Sequence, residues 1–135
     1  ITYGLERLLL YIESVDNLFD LRWNDKVTLK ELRFQEEVEQ SIYAFELANP
    51  ETLIELLELY HQEGKSLVEK GLIIPPYECA LKCSHIFNLL DARGSIAIGQ
   101  RMIYLSKIRQ LVKSCAELYL DLDKDKNKMK EANKE

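Results

Sequence analysis

The chain has 135 residues, 47% of them apolar and 30% charged, and its 23 acidic against 18 basic side chains leave a formal charge of -5. A chain of this size reads as one soluble domain that buries roughly two-thirds of its unfolded surface, so neither disulfides nor a structural metal are needed to hold a core. Collagen-like, disordered and disulfide-scaffold classes are excluded, and the mild acidity argues against whole-domain attraction to nucleic acid while leaving a local basic site open.

Three cysteines, Cys79, Cys83 and Cys115, are an odd number in a chain without a signal-peptide pattern. That usage points to a reducing compartment, with the cytoplasm as the default. The longest apolar run, Leu8 to Ile12, is cut at Glu13, far short of the roughly 20 residues that cross a bilayer. The start at Ile1 rather than methionine carries the expectation of a longer or processed polypeptide.

In chain order, Ile1-Thr2-Tyr3 has the β-branched and aromatic character of a strand end, followed by Gly4 and a helical run from Leu5 to about Val15. Asp16 to Lys26, with Asp16-Asn17 and Trp23-Asn24-Asp25, is expected to be loop with one short turn. Phe34, Val38, Ile42, Phe45 and Leu47 then supply the apolar stripe of a second helix, which stops at Asn49-Pro50. Asn49 suits the cap of a third helix, Pro50 its first position and Glu51 its positive end.

In the third helix, Glu51 to Lys70, the residues Leu53, Leu56, Leu57, Tyr60, Leu67 and Val68 mark a buried face. Gly71 ends it, and Gly64 weakens its middle by about 1 kcal/mol relative to Ala. Leu72 to Pro76 is expected to lie extended, because paired prolines oppose helix, so a fourth helix runs from Pro76 or Tyr77 to about Leu90. The longest helix starts near Ser95 with Ile108, Leu111, Val112, Cys115, Tyr119 and Leu122 on one side, and is apolar enough elsewhere to be central. Residues 123–135 form a charged tail, either a frayed helical extension or disordered. The fold class is mainly all-α, a bundle of about five helices with a short N-terminal strand end.

The best candidate for chemistry is Thr2-Tyr3-Gly4-Leu5-Glu6-Arg7, a strand end feeding a helix, with glycine at the turn and arginine one turn in. Glycine lets backbone approach a flat base, a helix N-terminus favours phosphate, and a guanidinium stacks on a purine or forks onto phosphate oxygens. The plain alternative is a helix start with a solvent-facing Glu-Arg pair. Cys79 and Cys83, four apart with His85 nearby, invite a metal reading, yet His85 points well around the helix from Cys83, and buried thiols packing as small apolar groups are the simpler account. Glu36, Glu37, Glu39 and Glu46 read as a solvated helix face, and His61 and His85 lack a nucleophile setting. Arg109 and Lys113 share a basic face, with Lys113 one turn from Glu117.

Several stretches taken together are distinctive: Ile1-Thr2-Tyr3-Gly4-Leu5-Glu6-Arg7, the Trp23-Asn24-Asp25 loop, Glu37-Val38-Glu39-Gln40-Ser41 followed by Tyr43-Ala44-Phe45-Glu46, and Phe87-Asn88-Leu89-Leu90-Asp91-Ala92-Arg93. In this order they resemble the C-terminal part of the α subunit of the bacterial tetrameric glycyl-tRNA synthetase, over most of Ile1 to Tyr119. The sequence departs from that pattern at Glu36, where asparagine is expected, in a shorter Asp25 to Val27 segment, and at Gly99-Gln100, where threonine-glutamate is expected.

The resemblance implies a class II aminoacyl-tRNA synthetase whose third signature motif, a strand-to-helix junction at the edge of an antiparallel catalytic sheet, falls on Thr2 to Arg7. By carry-over Gly4 lies under the adenine, Arg7 is the catalytic contact to the base or terminal phosphate of ATP, and Glu6 orients its neighbours. Thr2 stands where many class II enzymes have glycine, and narrows the amino-acid pocket toward glycine on this reading. Residues 1–20 would close the catalytic domain, 21–122 would form an appended α-helical domain, and 123–135 the tail. The implied substrates are glycine, ATP with Mg2+ and tRNA(Gly), with no tightly bound cofactor. The implied partners are the β subunit and a second α subunit in a tetramer of two α and two β. Arg93, Arg109 and Lys113 are the candidates for subunit or tRNA contact. The first two class II motifs would lie upstream, leaving this piece alone inactive. The competing reading is a non-catalytic helical protein-protein interaction module.

Overall fold

A computed structural model describes residues 4–132, with side chains described as far as Lys124. Among the described residues the fold is all-α, with five α-helices and no strand: α1 (Leu5–Glu13), α2 (Leu29–Ile42), α3 (Pro50–Glu69), α4 (Ile74–Ala92) and α5 (Ile98–Ala132). The expected all-α class with about five helices is therefore found, while the strand end expected at Ile1-Thr2-Tyr3 lies outside the described residues. The chain divides into two compact units, the first ending at Leu47 and the second beginning at Ala48.

In the first unit α1 stops at Ser14, whose left-handed φ of 54° turns the chain while its N–H donates to the Leu10 carbonyl. Asn17 Oδ1 accepts from Phe19 N at 2.9 Å and opens a single 3-10 turn over Leu18–Asp20, the short turn expected in this loop. The Trp23 segment is a tight, hydrogen-bonded bend, with Asn24 Oδ1 accepting from Lys26 N and Val27 N at 2.9 and 3.0 Å. Glu31 then closes the start of α2 by accepting from the Thr28 N–H at 2.8 Å and the Thr28 hydroxyl at 3.0 Å. These bonds hold its carboxyl below the ordinary value. The chain leaves α2 through a wide π-helical turn, Tyr43–Leu47. Phe34 meets Phe19 edge to face at 5.1 Å, but Ile42, Phe45 and Leu47 of the predicted stripe are exposed, and neither α1 nor α2 has a fully buried residue.

The second unit is a three-helix body. Asn49 caps α3 as expected, accepting from Glu51 N at 2.9 Å and Thr52 N at 3.2 Å with Pro50 at the first position. Gly71, at φ 77°, ends the α3 turn, and Leu72 N donates back to the Leu67 carbonyl. The expectation of an extended Leu72 to Pro76 is wrong: α4 begins at Ile74 and takes both Pro75 and Pro76 into its first turn. First-turn amides have no intrahelical acceptor, so two prolines there cost no hydrogen bond. Pro76 is among the fully buried side chains.

Pairing between helices fixes their directions. The Cys83 thiol donates to the Leu57 carbonyl and Gly64 lies against Cys79, so α4 runs antiparallel to α3; Glu58 pairs with Lys107 and Gly64 abuts Leu111, so α5 runs parallel to α3. The core comprises Ala48, Leu53, Leu57, Cys83, Ile86, Phe87, Leu90 and Tyr104, with a second cluster of Cys79, Ala80 and Leu111. Two expectations for α5 are corrected here. It starts at Ile98 rather than Ser95, because Gly94, at φ 65°, and the Ser95 N–H bonded to the Leu90 carbonyl still belong to the end of α4. It is also not the central helix: α4, with seven buried residues, holds that place, while Val112, Tyr119 and Leu122 of α5 are exposed and Tyr104 is buried instead.

Ion pairs mark the seams. Lys107 Nζ reaches both Glu58 oxygens, one at 2.7 Å, and Arg101 pairs with Asp91 at 2.9 Å. His61, half-buried beside the first pair, is held below the ordinary histidine value chiefly by burial, helped by Lys107 and Lys65 and opposed by Glu58.

A Cβ at residue 64 would meet Leu111 Cδ2 at 2.6 Å and Cys79 Cβ at 3.2 Å. Gly64→Ala should therefore lower stability by about 1–2 kcal/mol in chemical denaturation, overpacking outweighing the helix propensity that alanine gains. A gain in stability would show that Leu111 yields freely. Because the folded state keeps His61 neutral, its contribution is complete above the unfolded value of about 6.5 and is lost as pH falls through that value toward the lower folded one. The melting temperature should then fall more steeply from about pH 8 to about pH 5.5 in the wild type than in His61→Gln; parallel curves would remove His61 as a source.

Candidate functional site

The junction at the start of α1 is built by one residue without a side chain. Gly4 is extended, at φ -72° and ψ 119°, and its carbonyl accepts the Leu8 N–H at 3.2 Å. An N-cap glycine leaves the first amides of α1 without a side-chain partner, as no capping bond is made. Glu6 sits in the first turn. Arg7, one turn in, is exposed and folds back along the helix, so that a Cβ on Gly4 would lie 3.8 Å from Arg7 Cγ.

Nothing in the described chain demands glycine at this place, since φ is ordinary and a Cβ would make only ordinary contact. What glycine does provide is open backbone next to a guanidinium at a positive helix end, an arrangement that takes a planar base and an anionic group side by side. Arg7 also borders a shallow hollow with Tyr11, Ser14 and Asp16. Gly4, Glu6 and Arg7 thus stand together at one end of α1; Thr2 lies outside the described residues.

The other candidates are dispersed over the second unit. Arg93, half-buried at the end of α4, donates through Nε to the Ala48 carbonyl at 3.3 Å, tying that corner to the start of α3. Arg109 is exposed on α5, and Lys113, one turn on, reaches Glu117 at 3.6 Å, the pairing that its spacing suggests. The three cysteines are buried, and burial pushes Cys83 up to about 11 and raises Cys79 and Cys115. They act as small packing groups. His85 is exposed, and among the described residues no three His, Cys, Asp or Glu side chains gather in a way that could hold a metal ion. Glu36, Glu37, Glu39 and Glu46 form the exposed face expected of them, with Glu36 paired to Arg33.

One constellation escapes a linear reading. His61, Lys65 and Glu69, at successive turns of α3, face Gln110 and Ser114 of α5 across a hollow of about 180 Å³. The one-turn spacing on α3 is visible in the sequence, but the α5 side depends on interhelical register, which a single helix does not encode.

No helix among the described residues is long and apolar enough to cross a membrane. A family described as glycyl-tRNA synthetase alpha subunit matches residues 1–124, a range that includes the Gly4–Arg7 start of α1 and reaches the distal part of α5. The match takes in both compact units and the stretches that carry the resemblance in the sequence. With more than nine-tenths of its length so matched, the chain belongs to the glycyl-tRNA synthetase alpha subunit family, one subunit of an aminoacyl-tRNA ligase that serves translation.

Proposed function

We propose that the Gly4–Arg7 junction is the nucleotide corner at which the full-length protein binds ATP. The observation that carries this reading is the open backbone of Gly4 beside Arg7 at the start of α1, within the family match. ATP enters as its Mg2+ complex, a substrate, and the glycine carboxylate attacks the α-phosphorus. A carboxyl-phosphate bond forms, the bond to pyrophosphate breaks, and glycyl-adenylate results; a ribose hydroxyl at the tRNA(Gly) terminus then takes the glycyl group, and the bond to AMP breaks. Such a displacement needs alignment and charge stabilisation rather than a protein nucleophile. Arg7 supplies charge to the base or terminal phosphate, Gly4 makes room for the adenine, Glu6 holds the neighbours in place, and Thr2 narrows the space beside the amino acid.

On this reading residues 1–20 are the edge of the catalytic fold, residues 21–122 an appended helical domain and residues 123–135 its charged tail. The helical domain serves assembly with the β subunit and a second α subunit, in a tetramer of two α and two β, or contact with tRNA, through Arg93, Arg109 and Lys113. The reaction belongs to the cytoplasm, and this stretch of chain alone would be inactive.

Glycine-dependent ATP-pyrophosphate exchange by full-length α with β tests the reading directly. Arg7→Ala should lower exchange about 10²- to 10³-fold, the scale of losing one preorganised charge contact, with an unchanged circular dichroism spectrum. Equal exchange would remove Arg7 from the site, and no exchange in wild type would favour the non-catalytic interaction module.

A further inference from the structure

The hollow between α3 and α5 is not used by the nucleotide corner, and its chemistry is specific. Its floor is Leu111, the side chain that packs against Gly64, so the two walls are fixed by close contact. Lys65 contributes an ammonium, Gln110 an amide, Ser114 a hydroxyl and His61 a ring N–H, four donors from two helices; Glu69 is the single group that only accepts. Among the described residues none of these five side chains is hydrogen-bonded or ion-paired to another. The neighbouring charges on the same seam are, as Glu58 of α3 pairs with Lys107 of α5.

We propose that this hollow binds one ribose-phosphate unit of the tRNA strand, a site that rests on the synthetase reading above. Three donors around one cation suit a phosphodiester, which accepts and never donates. A bare phosphate leaves Glu69 facing an anion, whereas the attached ribose puts a 2′-hydroxyl there, and a carboxylate takes its proton as a hydrogen bond. The volume of about 180 Å³ is several times that of a water molecule, room for a sugar with its phosphate. His61 enters through a ring N–H, which either protonation state carries.

The test uses full-length α with β, and direct tRNA(Gly) binding measured at several salt concentrations. Lys65→Gln and Ser114→Ala should each weaken binding about 5- to 10-fold, the net worth of one solvent-accessible hydrogen bond. Lys65→Gln should also lower the salt slope by about 0.7–1, one phosphate contact. Lys65→Arg should restore most of the binding, and Lys82→Gln, which removes an equal charge from neighbouring α4, should do nothing. Glycine-dependent ATP-pyrophosphate exchange, which needs no tRNA, should be unchanged in all four. Failure of the catalytic reading would appear in that exchange assay with Arg7→Ala, independently of these binding curves. Wild-type tRNA affinity in Lys65→Gln and Ser114→Ala would overturn the proposal. So would loss of α-β association with tRNA affinity per complex unchanged, which would make the hollow a subunit contact. Ribose 5-phosphate shifting the His61 ring resonances while both variants bind tRNA normally would assign it to a free nucleotide and likewise overturn it.

Discussion

The missing side chain at residue 64 sets the spacing of the second unit. Because Gly64 has only a hydrogen toward its neighbours, α3 can lie close to Cys79 of α4 and to Leu111 of α5 at the same level. Everything above and below that point takes its register from it. Below it Leu57, Cys83 and Leu90 fill the core, and beside it the Glu58–Lys107 pair seals the α3–α5 seam. A bulkier residue would open a gap in which these side chains no longer interdigitate, which is why an intrinsically poor helix residue belongs here.

Local chemistry made much of this fold legible. Asn49-Pro50-Glu51 announced a helix start, Gly71 a helix end and Asp16-Asn17 a loop, and each did so because a few adjacent atoms decide the outcome. The start of α1 at Leu5, after Gly4, is legible for the same reason. What was not legible depends on distant partners. The paired prolines argued against helix by their missing donors, yet the first turn of α4 needs none. Gly64 looked like a local weakness because the sequence does not reveal that Leu111 arrives beside it. The long α5 looked central on its apolar content, but its covered line is Tyr104, Leu111 and Cys115 rather than the whole stripe, and α4 is what both neighbours pack on.

The two units handle exposure differently, and that bears on function. The first has no buried residue on α1 or α2, and much of its apolar surface, including Leu5, Tyr11, Ile12 and Trp23, is exposed. The second buries its apolar groups and keeps its polar seam between α3 and α5. On the proposed reading the first arrangement would suit chemistry done at a shared surface, and the second a body that carries recognition.

The three thiols add a property of a different kind. Cys79, Cys83 and Cys115 are all buried, and burial raises each of them above the ordinary thiol range. A thiol reacts with electrophiles as its anion, so in the closed bundle these sulfurs are protected twice, by coverage and by protonation. Their alkylation must wait for the helices to part, which turns three packing groups into internal clocks for local opening. Cys79, beside Leu111, and Cys115, one turn further along α5, would time the parting of α4 and α5, and Cys83, bonded to the Leu57 carbonyl, the parting of α4 from α3.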